Sequence, residues 1–242
     1  MSERDVRDRL SLIAHAAMPL CNPLSTGELD ALLGWCDFPR ASADDRGARV
    51  LDLGAGRGDV GLRCARRFGA SVTLVDVSPI YLAEAASRAR EVPDVDVVRE
   101  DAATYLERAP GELALAICLG ATHALGGIEP SVRALGRVVC PGGAMLIGDL
   151  VALGPRAAMT FDVPEHAALR GPGARLERVA HELVVGPERM RAYEDAWTSA
   201  VERHLDAHPD DAGAAWARAR IAWMREHAAA IDELAFAAWL VR

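Results

Sequence analysis

The chain has 242 residues, is 51% hydrophobic and carries a formal net charge of −8. This length predicts one large domain, or one domain with an insert, with ample apolar side chains for a buried core. The acidic balance disfavours a nucleic-acid partner, and the charged N-terminus without any long apolar run disfavours a signal peptide or a membrane partner, so we expect a cytoplasmic protein.

Residues 1–40 are predicted to form a helical cap in front of a main domain that spans 41–242. One helical face of the first segment is apolar and consists of Val6, Leu10, Ile13 and Ala17. Ser25-Thr26-Gly27-Glu28 is typical of a capping box that begins a second helix. Three residues of that helix are expected to point inward, namely Leu29, Leu32 and Leu33. The polar stretch 40–49 is predicted to be a linker.

Strand-like and helix-like segments alternate from residue 48 onward, which predicts an α/β fold with a parallel sheet and helices on both faces. The expected strands are 50–53, 71–75, 95–98, 113–119 and 144–148. The expected helices are 59–68, one that begins at Ser78-Pro79, 103–107 and 129–139. Further on we expect a strand at 176–185, a helical insert over about 187–230 with helices 188–207 and 212–230, and a strand at 234–241.

The first strand ends in a loop that combines an acid with alternating glycines, Val50-Leu51-Asp52-Leu53-Gly54-Ala55-Gly56-Arg57-Gly58. Glycines let the backbone turn sharply and approach a ligand that a Cβ atom would keep away. In open α/β sheets, ligands bind outside the carboxyl ends of the strands. The loop therefore predicts a ligand site at this edge of the sheet.

Gly56-x-Gly58-x-x-Gly61 also matches the dinucleotide-binding fingerprint, and Asp76 lies 18 residues beyond Gly58, near the expected ribose acid. Two features disfavour this match. The carboxylate of Asp52 would repel a pyrophosphate, and the strand ends before Gly54, two positions too early for that register. An NAD-dependent oxidoreductase is therefore the weaker alternative.

The loop, together with Asp76, Asp101 and the turn Pro141-Gly142-Gly143, resembles the class I S-adenosylmethionine (SAM) methyltransferases over 48–151. This resemblance implies a seven-stranded Rossmann-like sheet, mostly parallel with an antiparallel last strand, and SAM as the cofactor. Three further stretches resemble bacterial small-molecule methyltransferases of the type 11 and type 25 groups: Gly120-Ala121-Thr122-His123, Asn22-Pro23-Leu24-Ser25 and Tyr193-Glu194 with Trp197. Where that group often has Glu-Pro-aromatic, this chain has Asp149-Leu150-Val151.

Eleven positions are expected to bind the cofactor on this basis: Asp52, Gly54, Ala55, Gly56, Gly58, Asp76, Val77, Asp101, Ala102, Leu119 and Gly120. Asp76 would accept hydrogen bonds from the ribose hydroxyls. Asp101 would accept one from the adenine amino group, with the N–H of Ala102 at a ring nitrogen. The alternative for Asp101 is a helix N-cap, since aspartate is a favoured capping residue.

The candidate catalytic residues are His123 and Asp149. The ordinary pKa of histidine suits a general base at neutral pH, although His123 is equally well interpreted as a structural residue of its loop. Asp149 would orient an acceptor or act as the alternative base. The substrate-binding candidates are Thr122, His123, Tyr193 and Trp197.

The five cysteines are widely spaced and none forms a CxxC pair, which is typical of free thiols in a reducing compartment. Cys21 is expected in a loop near the site, so thiol chemistry there stays open. No metal site is predicted, because His204 and His208 lack a third ligand. The sequence thus predicts methyl transfer from SAM to a small molecule, by a monomer or homodimer, with a non-catalytic SAM-fold protein as the alternative.

Overall fold

A computed structural model describes residues 2–36, 48–170 and 175–242. Seven strands lie in these ranges: β1 (Arg49–Leu53), β2 (Ser71–Asp76), β3 (Val95–Arg99), β4 (Leu113–Leu119), β5 (Val139–Ala152), β6 (Val179–Val185) and β7 (Leu234–Val241). The helices there are α1 (Glu3–His15), α2 (Thr26–Gly34), α3 (Asp59–Phe68), α4 (Pro79–Ala89), α5 (Ala102–Arg108), α6 (Ile128–Leu135), α7 (Pro155–Phe161), α8 (His166–Arg170), α9 (Pro187–Ala207), α10 (Ala214–Glu226) and α11 (Ala228–Ile231), with a 3₁₀ helix at Thr122–Leu125.

The strands of the described chain form one mixed sheet in the order β3-β2-β1-β4-β5-β7-β6. Strands β1 to β5 run parallel, and β7 runs antiparallel to both β5 and β6. This confirms the predicted Rossmann-like fold with its antiparallel last strand. The strand order reverses at β1, between β2 and β4, which is where a crevice for a ligand is expected.

The sheet separates two apolar cores, one on each face. Every residue of β7 is buried, as expected for a strand covered on both sides. A third cluster joins α1 to α9 and α10 through Leu10, Trp197, Val201 and Ala217. The N-terminal helix and the helices of the C-terminal insert therefore pack against each other, beyond the carboxyl edge of the sheet.

The capping box at Ser25 is present, with the Ser25 hydroxyl accepting from the Glu28 N–H and the Glu28 carboxylate accepting from the Ser25 N–H. The three inward leucines of α2 are fully buried, as predicted. Ala17 was wrongly expected on the buried face of the first helix: α1 ends at His15 and Ala17 is exposed. The predicted linker 40–49 lies outside the described residues up to residue 47.

Several boundaries differ from the predicted ones because tertiary pairing extends or shortens local patterns. Strand β5 runs to fourteen residues and includes Pro141-Gly142-Gly143, with a register shift opposite β4. The helix predicted at 129–139 ends at Leu135, and the one predicted at 212–230 is divided at His227. The short helices α7 and α8 were not predicted. None of the described helices has the length and apolar content needed to cross a membrane.

Candidate active site

Two adjoining cavities lie at the carboxyl ends of the strands. The first, here the glycine-loop cavity, has a volume of about 430 Å³ and is lined by the loop after β1 and by the ends of β2, β3 and β4. The second, here the aromatic cavity, has a volume of about 340 Å³ and is lined by side chains that include Tyr193, Trp197, Trp216, Phe236 and Asp149. Six residues line both cavities: Arg7, Asp8, Cys21, Asn22, Tyr81 and Gly120.

The glycines of the loop after β1 have different structural roles. Gly54 has a φ of +66°, and a Cβ atom there would lie 2.2 Å from the Cβ of Ala121, so a side chain is excluded. Gly56 (φ +54°) donates its N–H to Asp76 Oδ2 at 2.8 Å. Gly58 (φ +77°) is buried against Leu74 and does not line the cavity, although it was expected to bind the cofactor. Its role in the structure is to let the loop turn where a side chain would meet Leu74.

Asp52 is only 3% exposed and accepts a hydrogen bond from the Gly61 N–H at 2.9 Å. Burial raises its pKa to about 7; the Gly61 N–H lowers that pKa, and repulsion by Asp59 and Asp76 raises it further. All three acids line the glycine-loop cavity. Asp59 is paired with Arg57 and Arg88. Within the described part of the chain, the buried Asp52 and the carboxylate of Asp76 are not paired with a cation, so this wall suits a positively charged ligand such as SAM and opposes a pyrophosphate.

Asp76 joins the loops that follow β1 and β2. Its Oδ2 accepts from Gly56 and its Oδ1 accepts from the Ser78 N–H at 2.9 Å. A carboxylate oxygen has a second lone pair, so Asp76 can still accept from a ligand hydroxyl. Asp101 caps α5, because its Oδ1 accepts from the N–H groups of Ala103 and Thr104. The capping interpretation of Asp101 is therefore confirmed, and its side chain also lines the cavity.

The other expected cofactor residues lie on the same wall: Ala55, Val77, Ala102, Leu119 and Gly120. His123 is also there, exposed in the 3₁₀ helix, and is not one of the residues that line the aromatic cavity. The structure therefore does not bring His123 together with Tyr193 and Trp197.

Asp149 lines the aromatic cavity and is held by two neighbours. Its Oδ2 accepts from the N–H and the hydroxyl of Thr122, at 2.9 and 2.6 Å, and its Oδ1 accepts from the Leu150 N–H at 2.9 Å. Thr122 itself is buried and lies outside both sets of lining residues. Thr122 thus fixes the Asp149 carboxylate across the ends of β4 and β5.

Tyr193 and Trp197 lie one turn apart on α9 and both line the aromatic cavity, as expected. The guanidinium of Arg220 covers the Trp197 ring, with its central carbon 3.8 Å from the ring centroid. Arg220 also donates to Glu194 Oε2 at 2.9 Å. The stacked cation and its ion pair fix this wall of the cavity.

His15 lines the aromatic cavity and was not predicted from the sequence. It lies on α1 with Asp8 and Ser11, and all three line the cavity at i, i+3 and i+7 spacing. These three residues form a polar face of α1 beside its apolar face, and this pattern was the signal in the sequence that could have indicated a helix lining a cavity. His15 Nε2 lies 2.6 Å from the hydroxyl of Tyr193.

Arg57 is a second residue that the sequence analysis missed. It is 7% exposed and donates to the carbonyl oxygens of His15 and Met18, each at 2.6 Å. Its Nε donates to Asp59 Oδ2 at 2.8 Å, and Arg88 donates to the other Asp59 oxygen at 2.6 Å. Arg57 therefore ties the glycine loop to the end of α1.

Cys21 lies between the cavities, where burial raises the pKa of its thiol to about 12. A reactive cysteine needs a thiolate, which this environment opposes. The described cysteines, Cys21 included, are all free. The structure therefore favours the simpler interpretation of Cys21 as a small wall residue.

The comparisons with known proteins agree with this geometry. A family described as "Methyltransferase domain" matches residues 50–143. An uncharacterised Escherichia coli (strain K12) protein, YjhP, is 32% identical over 227 residues, which is 88% of each chain. The chain belongs to the class I SAM-dependent methyltransferases. Its cofactor is accordingly SAM, and the oxidoreductase alternative is rejected.

Solved structures place this methyltransferase among similar folds. The crystal structure of E. coli YjhP superimposes with a TM-score of 0.80 and 27% identity, over 97% of this chain and all of that one. A SAM-dependent methyltransferase from Thiobacillus denitrificans, crystallised with S-adenosylhomocysteine, gives a TM-score of 0.77 at 26% identity, over 97% of this chain and 98% of that one.

Proposed function

We propose that this methyltransferase transfers the methyl group of SAM, held in the glycine-loop cavity, to a small molecule held in the aromatic cavity. The observation that carries the proposal is the shared boundary of the two cavities, at Gly120, Cys21, Asn22 and Tyr81. Two ligands in adjoining cavities can meet there. Holding two reactants in a reactive geometry supplies about 7–11 kcal/mol of a barrier in well-oriented systems.

The acids of the glycine-loop cavity are proposed to hold the cofactor. Asp52 would face its positive charge, Asp76 its ribose and Asp101 its adenine. Gly54 and Gly56 let the backbone come close. We assign His123 to the cofactor end of the site, because it lines the glycine-loop cavity and does not line the aromatic cavity. Bound SAM supplies an electrophilic methyl group on a sulfonium.

The aromatic cavity is proposed to select the acceptor. Its aromatic side chains favour a molecule with an apolar or planar part, and a few fixed polar groups would orient it. Asp149 lines this cavity and is held rigidly by Thr122, which lies two residues after the boundary residue Gly120. We propose that Asp149 positions the acceptor.

The acidic net charge and the aromatic lining of the cavity support a small-molecule acceptor rather than a nucleic acid. The free cysteines of the described chain support a reducing, cytoplasmic compartment.

Calorimetry with SAM, S-adenosylhomocysteine and NAD tests the cofactor half of the proposal. We expect micromolar binding of the first two, weakened at least tenfold in Asp76→Ala. Asp96→Ala is the matched control, because Asp96 is an exposed aspartate on the adjacent strand β3, outside both cavities. Binding of NAD alone would contradict the proposal.

The transfer half is tested with SAM that carries a labelled methyl group. Label in a small-molecule product, and its loss in Asp149→Ala while SAM binding persists, is the expected result. SAM binding without any labelled product would favour a non-catalytic SAM-fold protein instead.

A further inference from the structure

The ring of His15 has a defined arrangement of hydrogens. Its Nδ1 lies 2.6 Å from the carbonyl oxygen of Ser11, which can only accept, so Nδ1 carries a hydrogen. In the neutral ring, Nε2 then carries a lone pair and can only accept a hydrogen bond. It lies 2.6 Å from the hydroxyl oxygen of Tyr193. The Tyr193 hydroxyl therefore donates to His15 whenever His15 is neutral.

The surroundings favour that neutral pair. Burial lowers the pKa of His15, the Ser11 carbonyl raises it, and the nearby Arg57 lowers it. Burial also raises the pKa of the Tyr193 hydroxyl well above its ordinary value. At neutral pH the pair is a phenol that donates to an unprotonated imidazole.

The same site can also take up a proton without losing a hydrogen bond. The Tyr193 hydroxyl lies 3.2 Å from the backbone carbonyl oxygen of Cys21. If His15 becomes protonated, Nε2–H donates to Tyr193, and the hydroxyl hydrogen turns to that carbonyl. Every donor is then satisfied in both states, which is the property that a proton-accepting pair needs.

Charged and titratable groups face this pair from each element packed on it. They are Asp8 on α1, Cys21 in the segment between α1 and α2, Arg57 and Asp59 beside the glycine loop, Tyr81 on α4, Glu194 on α9 and Arg220 on α10. Arg57 and Arg220 are each paired with a carboxylate, Asp59 and Glu194 respectively. Burial raises the pKa of the Cys21 thiol and of the Tyr81 hydroxyl, so both stay neutral at neutral pH, and the imidazole of His15 is the proton acceptor of the pair.

We propose that Tyr193, with His15 behind it, accepts the proton of the methyl acceptor, which is therefore a compound with a hydroxyl, thiol or amine nucleophile. This inference rests on the proposed function. As the bond from the nucleophile to the methyl carbon forms, the S–CH₃ bond breaks and sulfur keeps the electron pair. The nucleophile's proton moves to the Tyr193 oxygen, and the Tyr193 proton moves to His15 Nε2. The positive charge thus ends on His15, which later releases its proton to solvent.

Labelled SAM tests this with six aromatic probes, added singly, and with a deproteinised bacterial metabolite extract. Phenol, thiophenol and benzylamine carry a removable proton on the nucleophile. Anisole, thioanisole and N,N-dimethylbenzylamine are their methylated counterparts without one. We expect label in the first three only, and a kcat at saturating SAM that falls at acidic pH, as the pH approaches the pKa of His15, which burial holds below its ordinary value.

His15→Gln distinguishes the uptake of a proton by His15 from its structural role in hydrogen bonding. The glutamine amide can still donate to Ser11 and accept from Tyr193, but it cannot take up a proton. We expect its kcat, and that of Tyr193→Phe, to fall about 100-fold or more, with SAM affinity within twofold and the fall of kcat at acidic pH abolished.

His227→Gln is the matched control, because the Nδ1 of this half-buried histidine, which lines neither cavity, likewise bonds the carbonyl four residues earlier, at 2.8 Å. It should leave both rate and pH profile unchanged. Label only in the three methylated probes, or unchanged pH profiles in the two site variants, would overturn the inference and leave methyl transfer standing. SAM binding with no labelled product from any probe or from the extract would overturn the proposed function, and this inference with it.

Discussion

The guanidinium of Arg57, in the glycine loop after β1, donates a 2.6 Å hydrogen bond to the backbone carbonyl of His15 at the end of α1. One side chain thus joins the loop that is proposed to bind the cofactor to a helix that lines the aromatic cavity. The bond is buried, and Asp59 neutralises the charge. Because the acceptors are backbone carbonyl oxygens, the hydrogen bonds form only when the backbones of the glycine loop and of the end of α1 are correctly placed.

Arg57→Ala is expected to lower the free energy of unfolding by at least about 2 kcal/mol, because two buried carbonyl groups lose a charged donor. It should also weaken SAM binding, since the loop loses its anchor. Urea denaturation and calorimetry measure the two effects. Arg66→Ala, at an exposed position on α3, is the control and should change stability by no more than about 0.5 kcal/mol. Equal stability of the two variants would contradict this prediction.

Because the pKa of Asp52 is raised, we expect SAM binding to depend on pH. The pKa of Asp52 is about 7 in the free protein, so the carboxyl is increasingly neutral below that pH. A cationic ligand favours the carboxylate, and we expect SAM affinity to fall by up to tenfold per pH unit below 7. Calorimetry from pH 5.5 to 8.5 checks this, and Asp52→Asn should flatten the dependence.

The same carboxyl predicts an effect on stability of opposite sense. Its folded pKa lies above its unfolded value, so its contribution is fully present below the unfolded pKa, near 3.8, and is lost as the pH rises through about 7. Without ligand, Asp52→Asn should therefore melt at a higher temperature than the wild type at pH 8, while the two converge near pH 4. Thermal unfolding at both pH values measures it; a lower melting temperature of the variant at pH 8 would count against it.

Gly54→Ala should be strongly destabilising and should abolish SAM binding, because the new Cβ would lie 2.2 Å from that of Ala121. Gly69→Ala is the matched control: Gly69 has a similar φ of +63° but open space around its Cβ position. It should cost only about 1 kcal/mol of backbone strain. Restoring space with Ala121→Gly should recover part of the loss in Gly54→Ala; no recovery would show that the contact is not the cause.

Thr122→Val removes one of the two hydrogen bonds from Thr122 to Asp149 Oδ2. We expect kcat to fall about tenfold, as Asp149 loses orientation, with little change in SAM affinity. Labelled methyl transfer measures the rate. Thr104→Val, on the exposed side of α5, is the control. A matching fall in SAM affinity would assign Thr122 to the cofactor instead.

Most residues that line the glycine-loop cavity at the strand ends could be predicted, because their signals are local. The loop from Asp52 to Gly58 and the acids at the ends of β2 and β3 are fixed by strand ends and turn chemistry. Strand β7 was predicted at its observed bounds, Leu234–Val241, because a fully apolar run bounded by polar residues allows few alternatives.

The aromatic cavity could be predicted only in part, because its partners are distant in the chain. His15 and Tyr193 are 178 positions apart, and only the packing of α1 on α9 brings them together. His123 and Asp149 were both predicted at strand ends, yet they line different cavities: His123 follows β4, whereas Asp149 lies inside β5, which runs on to Ala152, and is held there by Thr122. Such outcomes depend on tertiary contacts that no local pattern encodes.

Helix α1 contributes Arg7 and Asp8 to the walls of both cavities. It is fastened at its far side by Arg9, whose guanidinium makes two bonds to Asp211, at 2.6 and 2.9 Å. Helix α1 is therefore a wall that the two cavities share. We expect a displacement of this helix to open both cavities together, so that the spent cofactor and the methylated product leave in the same opening event.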